Sequence, residues 1–402
     1  MTNSITGDPP ILEEKLSRRD WFLLPALSLL TIAVIVGFTE TLARRSFGVS
    51  TTSLDSCLVL NDAATGVRGI PNAVCLEKIP ETQMVEYKFD CAGYRNDKPC
   101  GSRTPGAYRI ALIGSSIAMG NRVPIEQTLA TSLPEELSRR VGRQIELYNH
   151  GMAFGFPRNT ALRFNDVLAT RPNLVLWIVS SIDVKLAGFS HAEDLQVSTS
   201  SQPGVVSSLK NAIKDKIGGN PLAASLKMLG YFLQKQKSQG ELIRSYLAIP
   251  NGSEGAWDSG PSALKAELSQ EWEGRLGLFE GYVAEIGKKA KAAGVPMAVV
   301  MVPTRAQAAM ISMAEWPAGY DPFKLDRELA SITARHGATY IDILPQFRAT
   351  PNPERYFYPV DGHPDADGHR ILTQFIAKEL TGGAVSELRA FAQSDGASGR
   401  VR

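Results

Sequence analysis

Histidine and cysteine are scarce in this chain, whose 402 residues include five histidines and four cysteines. An excess of one charge is also missing, since the formal net charge is +2. This balance argues against a basic nucleic-acid-binding surface and against an acidic disordered tail. Hydrophobic residues account for 44% of the chain, which is enough for a core and excludes wholesale disorder. Any site that needs histidine or cysteine can therefore be searched for almost exhaustively.

Charged residues are absent from residues 21–38, which form an apolar run at the short end of what spans a bilayer. We predict an uncleaved membrane anchor here, with residues 1–20 in the cytoplasm and the bulk of the chain in an extracytoplasmic or periplasmic space. Two alternatives are a buried core helix and a cleaved signal peptide, with residues 41–43 as a cleavage site. The pair Arg18-Arg19 also resembles a twin-arginine export signal.

Cysteines are confined to residues 39–105, a polar stretch after the anchor that we interpret as an extracytoplasmic linker segment. This confinement predicts two disulfide bonds in an oxidising compartment. The four cysteines can pair in three ways, and we expect the pairing whose two disulfides close the shortest loops. Zinc binding is disfavoured because no CxxC pair and no nearby histidine occur. The two expected disulfides are Cys57–Cys75 and Cys91–Cys100.

Apolar, β-rich runs alternate with helical patterns over residues 106–381, which we interpret as one domain. This alternation predicts an α/β fold with a doubly wound, five-stranded parallel sheet between two helical layers. Residues 186–270 interrupt the rhythm as a helical insertion, and residues 382–402 form a polar tail. In such sheets, ligands bind beyond the carboxyl ends of the strands. The predicted strands are residues 109–113, 145–148, 174–179, 295–302 and 339–343.

Two short segments carry the residue types of nucleophilic catalysis. Ser116 follows the first strand directly, next to a helix start whose N–H groups can stabilise an anion. In a later loop, Asp361 precedes His363 by two residues, so the carboxylate can orient the imidazole while its other nitrogen accepts a serine proton. Only His363 combines a loop position with an adjacent acid. The other histidines are His150, His191, His336 and His369.

Residues 109–380 resemble the SGNH (GDSL-like) hydrolase family, block by block and in chain order. The first strand and the residues after it resemble the first block, with Ser116 at the nucleophile position and Ser115 replacing the usual aspartate. The loop near the carboxyl end resembles the last block, which implies that His363 is the general base and Asp361 its partner. The fold implied by this resemblance is a three-layer, flavodoxin-like sandwich.

The second block and the histidine loop refine the resemblance. Residues 148–151 look like the second block, which implies that the N–H groups of Gly151 and Ser116 bind the oxyanion. The spacing from Asp361 to His363 is shorter than the family's commoner Asp-x-x-His. This shorter form is similar to the membrane-associated branch that handles acetyl groups on exopolysaccharides such as alginate.

The third block departs from the family pattern of Gly-x-Asn-Asp. This chain has Ser180-Ser181-Ile182-Asp183, so Ile182 stands where a side-chain oxyanion donor belongs. Losing one such donor typically costs about 3 kcal/mol, or about 10²–10³ in rate. Three outcomes remain open: Ser180, Ser181 or Asn149 substitutes for the donor, the enzyme is slow, or the fold serves binding alone.

The resemblance implies a membrane-anchored serine esterase or deacetylase that acts on acyl esters of carbohydrate. One alternative is a polysaccharide O-acetyltransferase with the same residues, and another is a catalytically silent envelope scaffold or carbohydrate-binding protein. Arg305, just after the fourth strand, is either a substrate contact or a surface residue. We expect no metal and no other cofactor, because the His and Asp spacing is not of the zinc type. Expected partners are the ester substrate, the membrane and polysaccharide-assembly proteins, but no nucleic acid.

Overall fold

The computed structural model describes residues 17–46, 53–62, 64–79, 81–189, 223–250 and 259–389. Most of the predicted cytoplasmic segment, part of the predicted insertion with His191, and most of the predicted tail therefore lie outside the described residues.

An apolar helix, Arg18–Ser46 (α1), opens the described chain. Within it, Trp21–Ala43 is a 23-residue span with a mean hydropathy of 2.3. At 1.5 Å per residue, a helix of this length reaches about 35 Å, which exceeds the hydrocarbon thickness of about 30 Å. The alternative of a buried core helix is wrong, because none of the span's apolar window is buried in the protein. By length and composition the span fits both a membrane anchor and a signal sequence.

Two antiparallel hairpins follow, and the disulfide Cys57–Cys75 links them. Strands β1 (Leu58–Asp62) and β2 (Gly66–Gly69) form the first hairpin, and β3 (Val74–Glu77) and β4 (Val85–Lys88) form the second. The expected pairing is confirmed, with Cα–Cα distances of 6.2 Å for Cys57–Cys75 and 5.6 Å for Cys91–Cys100. We call residues 53–105 the disulfide module.

The disulfide module packs on the larger domain through a shared apolar cluster. Buried side chains such as Tyr87 and Phe89 of the module meet Met119 and Met152 of the domain. The segment interpreted from sequence as a linker is thus folded against the domain over its described residues.

The domain is built on five parallel strands in the order β6-β5-β7-β8-β9. Because the first strand along the chain lies between the second and the third, this is the flavodoxin-like order of doubly wound sheets. The predicted fold class is confirmed, with strand ends within a few residues of their expected positions. The strands are β5 (Tyr108–Gly114), β6 (Ile145–Asn149), β7 (Leu174–Val179), β8 (Met297–Met301) and β9 (Thr339–Ile341).

Helices cover both faces of this sheet because alternate strand residues point to opposite sides. Ile110 and Leu112 pack with helices Leu129–Val141 and Ala366–Glu379, whereas Ala111 packs with the layer that contains Gln270–Ala292. The helices after α1 are α2 (Ser116–Met119), α3 (Leu129–Val141), α4 (Pro157–Leu162), α5 (Phe164–Ala169), α6 (Ser181–Lys185), α7 (Ala223–Gln236), α8 (Gln239–Leu247), α9 (Gln270–Ala292), α10 (Arg305–Ile311), α11 (Lys324–Arg335), α12 (Leu344–Ala349) and α13 (Ala366–Glu379).

One helix boundary differs from the sequence pattern. The expected single helix from about residue 159 to 170 is two short helices, α4 and α5, which meet at Arg163. Arg163 has a ψ of 0°, and its side-chain Nε donates to the Asn159 carbonyl oxygen at 3.3 Å. The same carbonyl oxygen also accepts the Arg163 N–H at 3.1 Å, so the buried guanidinium shares this acceptor with the backbone where the two helices meet.

We predict that a reducing agent lowers the melting temperature of the protein. A disulfide typically contributes about 2–4 kcal/mol, mainly by restricting the unfolded chain, and more for longer loops. The bond Cys57–Cys75 closes 18 residues and Cys91–Cys100 closes 9, so we expect the first to contribute more. Calorimetry of the double variants Cys57→Ser/Cys75→Ser and Cys91→Ser/Cys100→Ser measures the contribution of each disulfide to stability. A melting temperature that does not change when reductant is added would contradict the prediction.

Candidate active site

The candidate nucleophile lies at the carboxyl end of β5, an interior strand between β6 and β7. Ser116 is the first residue of α2 and follows a turn at Gly114, whose φ is 140°. A Cβ atom at position 114 would lie 2.4 Å from the carbonyl oxygen of Ile178, so only glycine allows this turn beside β7. The Ser116 N–H makes no hydrogen bond within the described part of the chain, so it is free to meet an oxyanion.

A chain of two hydrogen bonds joins the three residues that the sequence singled out. Ser116 Oγ lies 2.8 Å from His363 Nε2, and His363 Nδ1 lies 2.6 Å from Asp361 Oδ1. With Nδ1–H donating to the carboxylate, Nε2 is the nitrogen that accepts the serine proton. Both distances lie within the range of an activated nucleophile and its base.

The carboxylate of this chain is held in its charged form. Burial by itself raises the pKa of Asp361, but the hydrogen bond from His363 and the charges of His363 and Arg122 outweigh it and lower this pKa to about 2. Asp361 is therefore ionised at neutral pH and stabilises the imidazolium that forms when His363 takes a proton.

The short Asp-x-His spacing depends on the residue between them. Gly362 has a φ of 83°, in the left-handed region that side chains disfavour. The turn is closed by two backbone bonds, from Gly362 N–H to the Tyr358 carbonyl (3.0 Å) and from Tyr358 N–H to the His363 carbonyl (2.9 Å). This conformation lets a carboxylate and an imidazole two residues apart face each other.

The Gly151 N–H, which was expected to bind the oxyanion, already has a partner in the structure. The Gly151 N–H donates to Asn149 Oδ1 at 2.8 Å, so both candidate residues are engaged with each other in this conformation. The physical reason is a local turn in which an asparagine side chain caps the N–H two residues later. Gly151 nevertheless lies against α2, since a Cβ there would fall 2.5 Å from the Met119 nitrogen.

The third block supplies no replacement for the missing donor through its serine side chains. Ser180 Oγ and N–H both donate to Asp183 Oδ2, at 2.7 and 2.8 Å. Ser181 Oγ donates to Ser259 Oγ at 2.8 Å, and Ile182 packs in an apolar cluster. Burial raises the pKa of Asp183, which the Ser180 and Ser115 hydrogen bonds oppose. The two serine hydroxyls are thus committed within the protein.

Arg305 lies near the histidine loop. Its Nη1 donates to the Pro359 carbonyl oxygen at 2.8 Å, and the side chain is half-buried. This arginine therefore supports the backbone that carries Asp361 and His363.

The remaining described histidines lie outside the triad. His150 and His369 are buried, and burial lowers the pKa of each to about 3, so both are neutral. His336 lies at the end of α11, where its Nε2 is 2.9 Å from Glu280 Oε1.

Three residues near the triad were not found from sequence: Arg122, Glu77 and Glu81. Arg122 Nε donates to Asp361 Oδ2 at 3.0 Å and also pairs with Glu77. Glu81 accepts the N–H of Asp361 at 2.7 Å. No sequence signal marks them. Arg122 and Glu81 are ordinary charged residues more than 200 positions from the histidine loop that they contact, and Glu77 reaches that loop only through Arg122.

A separate cavity of about 430 Å³ lies beside the Cys91–Cys100 loop, lined in part by Tyr94, Tyr148 and His150. None of the triad residues lines it, so the cavity is not the place of the proposed chemistry. Within the described residues, no three His, Cys, Asp or Glu side chains converge as metal ligands would.

Comparisons with known proteins give similarities to solved hydrolase structures. No protein-family model and no curated protein matches the chain. TesA is 11% identical, with 68% of this chain and 98% of that chain covered and a TM-score of 0.36. A mutant of Axe2, an acetyl-xylooligosaccharide esterase from Geobacillus Stearmophilus, is 14% identical, with 69% and 96% covered and a TM-score of 0.36. A lipase/acylhydrolase from Enterococcus faecalis is 13% identical, with 68% and 96% covered and a TM-score of 0.36.

We predict that Gly362→Ala lowers kcat for ester hydrolysis by about tenfold, because a left-handed alanine costs about 1–2 kcal/mol and displaces Asp361 from His363. Gly319→Ala is the matched control: Gly319 has a φ of 80° and, like Gly362, open space where a Cβ would lie. Equal kcat losses in the two variants would contradict the role of this turn in catalysis.

Proposed function

We propose that this protein is a serine esterase of the SGNH type, anchored to a membrane, that removes acyl groups from carbohydrate in an extracytoplasmic space. The observation that carries the proposal is the continuous chain from Ser116 Oγ through His363 to Asp361, at 2.8 and 2.6 Å. Its place at the carboxyl end of β5, beside the point where the strand order reverses, is where doubly wound sheets bind ligands.

The geometry supports a two-step acyl transfer. His363 Nε2 takes the Ser116 proton as Ser116 Oγ attacks the ester carbonyl, and the Ser116 N–H meets the developing oxyanion. His363 then gives this proton to the departing alkoxide, which leaves an acyl group on Ser116. Water then attacks the acyl-enzyme while His363 takes one of its protons, and His363 returns this proton to Ser116 Oγ as the bond to the acyl group breaks and the acid is released.

Two features support a polymeric substrate in an oxidising space. Ser116 and His363 are both half-buried rather than enclosed, so an acyl group on a long chain can reach them. The two disulfides of the disulfide module are typical of exported proteins, and the apolar helix Trp21–Ala43 provides a membrane tether. Acetylated polysaccharide is the substrate we favour, because of the Asp-x-His spacing of the last block.

We predict that Ser116→Ala lowers kcat for release of acetate by about 10³-fold or more, since the nucleophile is lost. The assay follows acetate from a model ester and then from acetylated polysaccharide, with the detergent-solubilised full chain. Ser245→Ala, an exposed serine on α8, is the matched control and should retain wild-type activity.

The same assay separates the alternatives. If wild type and Ser116→Ala are equally slow and no acyl group is captured on Ser116, the enzymatic proposal is wrong and a binding role remains. If an added glycan gains the acyl group faster than water does, the protein is an O-acetyltransferase that uses the same triad.

A further inference from the structure

The acid of the triad has a second partner besides His363. One oxygen of Asp361, Oδ1, faces His363 Nδ1, while the other, Oδ2, accepts from Arg122 Nε at 3.0 Å. Each carboxylate oxygen therefore has a charge-assisted hydrogen bond of its own. With both oxygens held, rotation of the carboxylate away from the imidazole breaks the bond to Arg122 as well.

Arg122 is itself fixed by the disulfide module. Its guanidinium pairs with Glu77, at the end of β3, and its N–H donates to the hydroxyl of Tyr87 on β4 at 2.9 Å. Burial alone would lower the pKa of Arg122, but the Asp361 and Glu77 carboxylates raise it, so the guanidinium stays charged. Glu77 lies two residues after Cys75, whose disulfide to Cys57 ties this hairpin to its neighbour.

The backbone of the histidine loop is held by the same module from another direction. Glu81 accepts two N–H groups with its carboxylate, from Val360 at 2.8 Å and from Asp361 at 2.7 Å. On the domain side, Arg305 holds the carbonyl of Pro359 at 2.8 Å. The loop is thus fixed at its backbone by one module residue and one domain residue.

We propose that Arg122, Glu77 and Glu81 are positioning residues, through which the disulfide module fixes Asp361 and, by way of Asp361, the imidazole of His363. This inference rests on the proposed function, because a positioned base matters only where Ser116 acts as a nucleophile. Two of the three residues contact Asp361 directly. Arg122 donates to its carboxylate, and Glu81 accepts its N–H.

A double-mutant cycle tests the proposal on the detergent-solubilised full chain. Misplacing a catalytic group by about 1 Å can cost 10²-fold in rate. We therefore expect Arg122→Gln and Glu77→Gln each to lower kcat by about 10- to 100-fold, with KM changed less than about twofold. Because Glu77 acts on the Asp361 carboxylate only through Arg122, the double variant should lose little more activity than either single variant. Arg122→Lys, which keeps the charge, should retain part of the lost activity.

The matched control is Glu86→Gln, an exposed glutamate on β4 of the same module, which should leave kcat unchanged. Glu81→Ala should lower kcat as the Glu77 variant does, and melting temperatures show that each variant is folded. If these residues only stabilise the fold, the variants should melt at lower temperatures but keep the wild-type kcat and KM at temperatures where they are folded. This result would overturn the proposal.

A spectroscopic readout separates this proposal from the proposed function. The far-downfield proton signal of His363 Nδ1–H, assigned by its loss in His363→Gln, reports the bond to Asp361 without any substrate. We expect it in wild type and Glu86→Gln and expect its loss or shift in Glu77→Gln and Arg122→Gln. An unchanged signal in those variants overturns the positioning role. If the wild type shows the signal but hydrolyses no ester, the proposed function is wrong. The signals of the variants still test the positioning role in that case.

Discussion

The hydrogen bond between His363 Nδ1 and Asp361 Oδ1 joins two residues separated by a single glycine, so it exists only in one narrow backbone conformation. The left-handed Gly362 permits that conformation, and the contacts around it keep it in place. The direction of the imidazole follows, because Nδ1 is committed to the carboxylate and Nε2 faces Ser116. The position of Ser116, in turn, depends on the tight approach of Gly114 to β7. The turns at Gly114 and Gly362 thus align three side chains that come from the beginning and the end of the domain's sequence.

Sequence patterns were sufficient to predict the sheet and to select three residues that the structure brings together. Continuous apolar runs such as residues 174–179, short and rich in β-branched residues, favour buried strands, and the structure has β7 at those residues. Ser116, Asp361 and His363 could be selected because each is a reactive residue type directly after a strand or in a loop. Their meeting follows from topology, since β5 is an interior strand and the histidine loop precedes α13, which packs beside it.

Other parts of the site could not be predicted because they depend on contacts between distant residues. Arg122 has no feature that distinguishes it from other arginines until the fold brings Glu77 and Asp361 to it. Gly151 was expected to face the oxyanion, but the side chain of Asn149, two residues earlier, takes its N–H. Local competition of this kind is decided by rotamers, which a residue pattern does not encode.

The cross-link at Cys75 has a consequence for the life cycle of the protein. Thiols stay reduced in the cytosol, so a newly made chain carries its serine and histidine before the covalent tie between the hairpins exists. Oxidation closes that tie and completes the support of Glu77 behind Arg122. The conformation of the histidine loop is therefore coupled to the redox state of its surroundings, because a reduced chain must hold Glu77 in place by hydrogen bonds and packing alone.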